Sequence, residues 1–142
     1  MGYFHVLLIK TYAAHKKRSR DAFYNLDLTA GQPKVLNILM NMEGCQQKEL
    51  AEECGVEPPT MTVLLKNMEQ KGLIYREKRQ LPGGFRAYGI YLTEAGKQAT
   101  KDVMKIVDEA EEVAFKGFTD KEKEVFMDLF SRVRENLEDV YL

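Results

Sequence analysis

The sequence predicts a mainly α-helical α+β fold, a winged helix-turn-helix with long N- and C-terminal helices, and three observations predict it. Apolar residues near both ends of the chain recur at spacings of three and four, which is typical of amphipathic helices. Two short helical segments meet at a turn that contains Gly55. After Leu73 the residues alternate between apolar and polar, which indicates a β-hairpin.

The N-terminal part of the chain predicts two helices. Apolar residues at helical spacing indicate a helix over 3–26, and its polar middle, residues 16–20, predicts either a kink or exposure to solvent. Thr29 and Gln32 have the spacing of a capping box, in which each side chain bonds the other residue's free backbone N–H. We expect the second helix to begin there and to end at Gly44.

The middle of the chain predicts the helix-turn-helix itself. A helix of about nine residues from Gln46 should bury Leu50, Ala51 and Cys54 and end at Gly55. Pro58 and Pro59 suit the first positions of a new helix, because the N–H groups there have no intrahelical partner. That helix should have two faces, a buried stripe of Met61, Leu64, Leu65 and Met68 and an opposite face of Thr60, Thr62, Val63, Lys66 and Asn67.

The remaining residues predict a wing and two further helices. Strands before and after the turn residues 81–85 form the hairpin, with the second strand over 87–92. A long helix should run from Thr93 to about Lys116, and Thr119 and Glu122 form a second capping box. The last helix carries an apolar stripe that extends to Val140 and Tyr141. Unused apolar faces at both ends of the chain predict a symmetric dimer.

The charges are unevenly distributed along a chain whose net charge is only −1. Residues 58–92 hold six basic and two acidic side chains, which gives +4, whereas residues 93–142 hold eight and thirteen, which gives −5. Because phosphate responds to the local field, the near-neutral total does not exclude nucleic acid as a partner.

The sequence favours a binding protein over an enzyme. We find no nucleophile–base set, no phosphate-binding glycine loop and no metal motif in the sequence, so we expect no enzymatic activity, cofactor or metal. Cys45 and Cys54 are too far apart on a helical path for a disulfide. The longest apolar run has four residues and the start has no secretory leader, so we expect a cytoplasmic protein that does not enter a membrane.

Three segments resemble the MarR family of bacterial winged-helix transcriptional regulators: LTAGQPKVLNIL, QQKELAEECGVEPPTMTVLLKNMEQKGLI and RAYGIYLTEAGKQ. The resemblance implies one domain over 1–142, with a DNA-binding lobe at 28–92 and dimerisation helices at 1–27 and 93–142. It further implies a homodimer bound to a pseudo-palindromic operator on double-stranded DNA. The resemblance favours a repressor over an activator, and a small aromatic or phenolic effector would release it from the operator.

The resemblance also assigns residues. The recognition helix, from Pro58 to about Gln70, would enter the major groove, led by Pro59, Thr60, Thr62, Val63 and Lys66. The wing would reach the minor groove through Arg86. Three positions depart from the family pattern: Gly84 replaces the wing Asp, Val63 stands where Arg is frequent, and Glu57 replaces a Ser cap. Redox-sensing relatives place a reactive Cys in the first helix, and this sequence has none there, which disfavours peroxide sensing.

For several residues the sequence alone leaves two interpretations open. Arg76, Lys78 and Arg79, together with Arg86, either bind DNA or belong to a solvated hairpin. Thr60 and Thr62 either contact bases or stabilise the helix start, and Gln46 and Gln47 either cap the preceding helix or contact phosphate. A further set of residues either lines an effector cleft or belongs to the hydrophobic core: Tyr12, Phe23, Met40 and Met42. The alternative function is a winged helix that binds another protein and no specific DNA.

Overall fold

The computed structural model describes residues 2–139 and contains, within them, the predicted order of elements. The helices and strands are α1 Tyr3–Asn25, α2 Gln32–Leu39, α3 Gln47–Cys54, α4 Pro58–Gln70, β1 Ile74–Gln80, β2 Arg86–Leu92, α5 Glu94–Ala114 and α6 Asp120–Glu138. The chain divides into two compact units, one up to Asp108 and one from Glu109 onward. Val140 and Tyr141 of the predicted apolar stripe lie outside the described residues.

Helix α1 continues without a break through its polar middle, so of the two predicted alternatives it is solvent exposure that occurs. Ser19 is the one buried residue between Tyr3 and Asn25, and its hydroxyl donates to the carbonyl oxygen of His15 at 3.2 Å. Such a bond to the preceding turn satisfies the hydroxyl within the helix. Most of the apolar side chains of α1, by contrast, are exposed in the protomer.

Helix α2 differs from its prediction at both ends. Its N-cap is Gly31, at φ 88°, and only half of the predicted capping box forms, since the Thr29 N–H donates to Oε1 of Gln32 at 3.1 Å. The helix ends at Leu39 and not at Gly44. The reason lies in the sheet: Gly44 N–H donates to the Ile90 carbonyl and Ile90 N–H donates to the Cys45 carbonyl. Strand β2 therefore holds Gly44 and Cys45, and the chain turns there, with Gly44 at a left-handed φ of 90°, instead of continuing the helix.

The core of the first unit lies between α2, α3, α4 and the hairpin. All four residues of the predicted α4 stripe are buried, and so are Leu50, Ala51 and Cys54 of α3, which confirms those predictions. Leu36, Leu39 and Ile90 are fully buried against them. The core thus fixes α4 by one side and leaves the other side uncovered.

The hairpin is an antiparallel pair whose register sets what each face carries. Ile74 pairs with Leu92 and Arg76 pairs with Ile90. Because cross-strand partners lie on one face and successive residues alternate, the buried residues Ile74, Ile90 and Leu92 define the core face of the hairpin. β2 then leads into α5 where the Thr93 hydroxyl accepts from Gly96 N–H at 3.0 Å. A Cβ on Gly96 would lie 2.0 Å from the Leu73 carbonyl oxygen, so this junction requires glycine.

The second unit contains the end of α5 and helix α6. The predicted capping box at Thr119 is present, and its hydrogen bonds hold the pKa of Glu122 below the usual value. Phe115 packs edge-on against Phe118 and Phe126 with ring centroids 5.3 and 5.6 Å apart, and Phe126 stacks on Phe130. In the described part of the chain, no helix is long and apolar enough to span a membrane.

The two cysteines are free thiols in the core of the first unit. Cys45 lies in the loop before α3, and both residues are buried, with exposed fractions of 7% and 5%. Burial is the main cause that raises the pKa of each thiol above its ordinary value. Because the thiolate is the reactive form, both side chains should be poor nucleophiles in the folded protein.

We therefore expect neither thiol to react quickly with Ellman's reagent at pH 7.5 in the native protein. In denaturant, both thiols of the chain should react at once, because unfolding removes the burial that raises their pKa. The measurement is the absorbance of released thionitrobenzoate over time with and without denaturant. Rapid release of one equivalent from the native protein would contradict the assignment of both thiols to the core.

Candidate nucleic-acid interface

Helices α3 and α4 present one exposed polar face. They are joined by residues 55–57, where Gly55 adopts a left-handed conformation at φ 63° and Glu57 is the N-cap of α4. The side of α4 opposite the core exposes four predicted residues, which we call the recognition face: Thr60, Thr62, Val63 and Lys66. Val63 is 59% exposed although it is apolar, while Met61 beside it is fully buried. Pro59 is also exposed, in the first turn of the helix.

A hydrogen-bond network links the recognition face to α3 and to the wing, the hairpin of residues 74–92. Gln47 donates through Nε2 to the Thr62 hydroxyl at 2.7 Å, and its Oε1 accepts from Nη1 of Arg76 at 3.1 Å. The Thr62 hydroxyl donates in turn to the Pro58 carbonyl at 3.0 Å. Arg76 also pairs with Glu69 of α4, with 3.3 Å between Nε and Oε2. Gln47 therefore bonds the recognition helix and does not cap the preceding helix.

Gln46 is the N-cap of α3, so it begins the following helix instead of ending the preceding one, contrary to that alternative of the prediction. Its backbone N–H donates to Oε1 of Glu49 at 3.2 Å. The start of α3 is thereby fixed next to the residue that bonds Thr62.

The register separates the four basic residues of the hairpin into two groups. Arg76, Lys78 and Arg86 lie on the core face, because their partners are Ile90, Tyr88 and Gln80. Beyond the buried end of the hairpin this face is exposed, and the Lys78 ammonium lies 5.9 Å from the centre of the Tyr88 ring. Among residues 2–139 no acidic side chain forms an ion pair with Arg86.

Arg79 lies on the opposite face of the hairpin and is bound within the protein. Its Nη1 donates to the carbonyl oxygen of Gly44. The stem of the side chain crosses Gly89, where a Cβ would come within 2.7 Å of the Arg79 Cδ and 2.9 Å of the Gly44 oxygen. A glycine inside a strand often marks such a close approach, so Gly89 was the one sequence signal of this contact.

Lys71, which follows α4, also belongs to the +4 segment and is used internally. Its ammonium donates to the Asp27 carbonyl at 2.6 Å and to Oε1 of Gln32 at 3.0 Å. Nothing in the sequence pattern indicated these contacts, since the partners are 44 and 39 positions away. Lys71 therefore connects the end of the recognition helix to the segment that follows α1.

The four residues predicted for an effector cleft differ in how far they are buried. Phe23 and Met42 are partly buried against the core, whereas Tyr12 is 65% and Met40 is 43% exposed. Tyr12 and Phe23 lie on one continuous helix, eleven residues apart, which corresponds to about 16 Å.

The order of elements and the exposed face of α4 beside a two-stranded wing define a winged helix-turn-helix protein of the transcription-regulator class. The family model described as "MarR family" matches residues 28–80, which hold α2 to β1. The uncharacterized HTH-type transcriptional regulator YybA of Bacillus subtilis (strain 168) is 34% identical over 82% of this chain and 76% of its own length. The chain belongs to the MarR family of transcriptional regulators.

Solved structures of the family share the whole fold. A MarR family transcriptional regulator from Listeria monocytogenes, complexed with 26mer DNA, is 28% identical and covers 94% of this chain and 89% of its own, with a TM-score of 0.80. A MarR transcriptional regulator from Methanosarcina mazei Go1 superposes with a TM-score of 0.86 over 98% and 92%, and at 19% identity it shows the fold alone. The predicted fold class and family are confirmed.

We expect Arg79→Met to lower the free energy of unfolding by about 1–3 kcal/mol, because the buried Gly44 carbonyl loses its charged donor. Arg86→Ala is the matched control, since Arg86 is exposed and the change should stay within about 0.5 kcal/mol. Urea unfolding followed by circular dichroism measures both. Equal stability of the two variants would show that the Arg79 contact does not hold the wing.

Proposed function

We infer that this MarR-family regulator binds double-stranded DNA sequence-specifically as a homodimer. The observation that carries the proposal is that the recognition face of α4 and the distal part of the wing, with Lys78 and Arg86, are both exposed, and that Gln47 and Arg76 link this helix to the wing. The relative from Listeria monocytogenes, solved with a 26mer DNA, supports this use of the same fold.

In this proposal α4 enters the major groove and the wing reaches the neighbouring minor groove. Thr60, Thr62 and Val63 would contact base edges, and Val63 can touch a thymine methyl group. Lys66 and Lys78 would pair with phosphates, and Arg86 would lie in the minor groove. Pro59, in the first turn of α4, would lie close to the sugar–phosphate backbone of the DNA. Arg79 is not included in this set, because it lies on the opposite face of the hairpin and its guanidinium donates to the Gly44 carbonyl.

The homodimer is supported by apolar faces that the protomer leaves uncovered. None of the residues Asp120–Glu138 is buried, although this helix carries an apolar stripe that includes Leu129 and Phe130. In α1 the exposed large apolar residues include Tyr3, Phe4 and Leu7. Exposed apolar surface on this scale is typical of an interface between subunits. Two copies would then place their recognition helices in half-sites about 34–36 Å apart on a pseudo-palindromic operator.

Repression released by a small aromatic or phenolic effector completes the proposal. Its support is the family resemblance, and the candidate residues for the effector cleft remain Tyr12, Phe23, Met40 and Met42. A cytoplasmic location follows from the same role, because the regulator must reach its DNA.

DNA binding should weaken with salt at a log–log slope of about −5. Three free basic residues in each protomer, Lys66 and Lys78 at phosphates and Arg86 in the minor groove, would displace about six counterions from the DNA in a dimer, and each contributes about −0.9. The measurement is a gel-shift titration, at several potassium chloride concentrations, with duplex DNA from the region upstream of the protein's own gene. A binding affinity that does not change with salt, or no specific band, would instead favour the alternative of a protein-binding module.

Arg86→Ala should weaken this binding by about 1–3 kcal/mol if Arg86 lies in the minor groove. Arg79→Met should leave the salt slope unchanged, because Arg79 lies on the face of the hairpin opposite Lys78 and Arg86. Both are measured in the same titration at a temperature at which each variant is folded. An unchanged affinity for Arg86→Ala would remove the wing from the DNA contacts.

Leu129→Glu and Leu7→Glu should each convert the dimer to a monomer, because a carboxylate in an apolar interface would have to be desolvated without a partner. Ser131→Glu and Ala13→Glu are the controls: they add the same charge to the same two helices, but on the opposite face, since two positions turn a helix by about 200° and six by about 240°. Analytical ultracentrifugation gives the masses. A dimer that survives both leucine substitutions would exclude these faces as the interface.

A further inference from the structure

The network around Gln47 fixes the direction of every hydrogen bond that reaches the recognition face. A guanidinium has only donors, so the oxygen of the Gln47 amide must face Arg76 and its nitrogen must face Thr62. The Thr62 hydroxyl accepts from Gln47 and gives its single proton to the Pro58 carbonyl. Arg76, on the wing, therefore determines the orientation of a hydroxyl on α4.

We propose that Arg76 is a positioning residue for base recognition, which acts through Gln47 on Thr62, and not a ligand of DNA phosphate. The proposal rests on the DNA binding inferred above and names the residue that sets its sequence preference. With its proton used inside the protein, the Thr62 oxygen can only accept one further hydrogen bond. In the major groove, the donors to such an oxygen are the amino groups of adenine and cytosine. Thr62 thus selects an amino-bearing base.

The charge around Arg76 supports a positioning role. Its Nε pairs with Glu69 at 3.3 Å and its Nη1 binds Gln47, so two sides of the guanidinium are already occupied. The ion pair with Glu69 is neutral as a unit and is only partly exposed, with 30% of the Arg76 side chain accessible. Lys78, two positions further on the same face, has no such carboxylate partner among residues 2–139 and remains free for phosphate.

The test compares base preference with salt dependence in the full-length protein. A duplex library with a randomised central segment is selected by gel shift, and the bound pool is sequenced. The variants are Thr62→Val, Gln47→Met and the pair Arg76→Met with Glu69→Gln, which removes one charge of each sign and so leaves the net charge unchanged. Lys78→Met serves as the comparison for a direct phosphate contact. Circular dichroism verifies folding, and Gln47→Met tests the relay even if the paired variant is unstable.

The unmodified protein should select adenine or cytosine at one position of each half-site. Thr62→Val, Gln47→Met and the Arg76/Glu69 pair should each reduce the preference at that same position by about tenfold, the value of one lost base contact. Adding Thr62→Val to the pair should cause no further loss, and the salt slope should stay as in the unmodified protein. Lys78→Met should keep the base preference and make the slope less negative by about 2 in the dimer.

Two results would overturn the proposal, and they differ from a failure of DNA binding itself. If the Arg76/Glu69 pair keeps the selected base and shifts the slope as Lys78→Met does, Arg76 binds phosphate. If the losses from the pair and from Thr62→Val add up, the two residues act independently. If the unmodified protein retards no duplex, the proposed function fails, and the positioning role fails with it.

Discussion

The structure depends on holding helix α4 firmly by one side while the other side stays open. Met61, Leu65 and Met68 are fully buried, and they fix the rotation of the helix about its axis. A helix turns by about 100° per residue, so an error of one residue in this stripe would bury Thr62 and expose Met61. Because the core determines that rotation, the side of the helix on which the recognition face lies follows from apolar packing.

Polar contacts also connect α4 and the wing to their neighbours. Three basic residues add hydrogen bonds at places that the apolar stripe of α4 does not reach. Lys71 binds the segment after α1, Arg76 joins α3 and α4 to the wing, and Arg79 joins the wing to Gly44. All three belong to the segment whose charge is +4, and their side chains are held by contacts within the protein, with Arg76 paired to the Glu69 carboxylate. Hydrogen bonding contributes more, and charge less, to this surface than the sequence indicates.

The sequence predicted the order of the elements, the buried stripe of α4 and the turn of the wing, because each depends on neighbours within a few positions. It could not predict the partner of Arg79, since Gly44 is 35 positions away and only the hairpin register brings them together. The same limit explains the end of α2: Gly44 suggested a helix cap, but its N–H pairs with Ile90 of a strand far along the chain. Local patterns predict elements, whereas long-range hydrogen bonds decide where elements end and which way side chains turn.

The contacts of Lys71 connect the end of the recognition helix to the segment between α1 and α2. Asp27, whose carbonyl accepts from the Lys71 ammonium, lies two residues after the end of α1, and Gln32 begins α2. Apolar packing makes the same connection, because Leu28 is buried in the core and Phe23 and Leu26 pack against it. Hydrogen bonds and packing together therefore hold the end of α1 against the core that fixes the recognition helix.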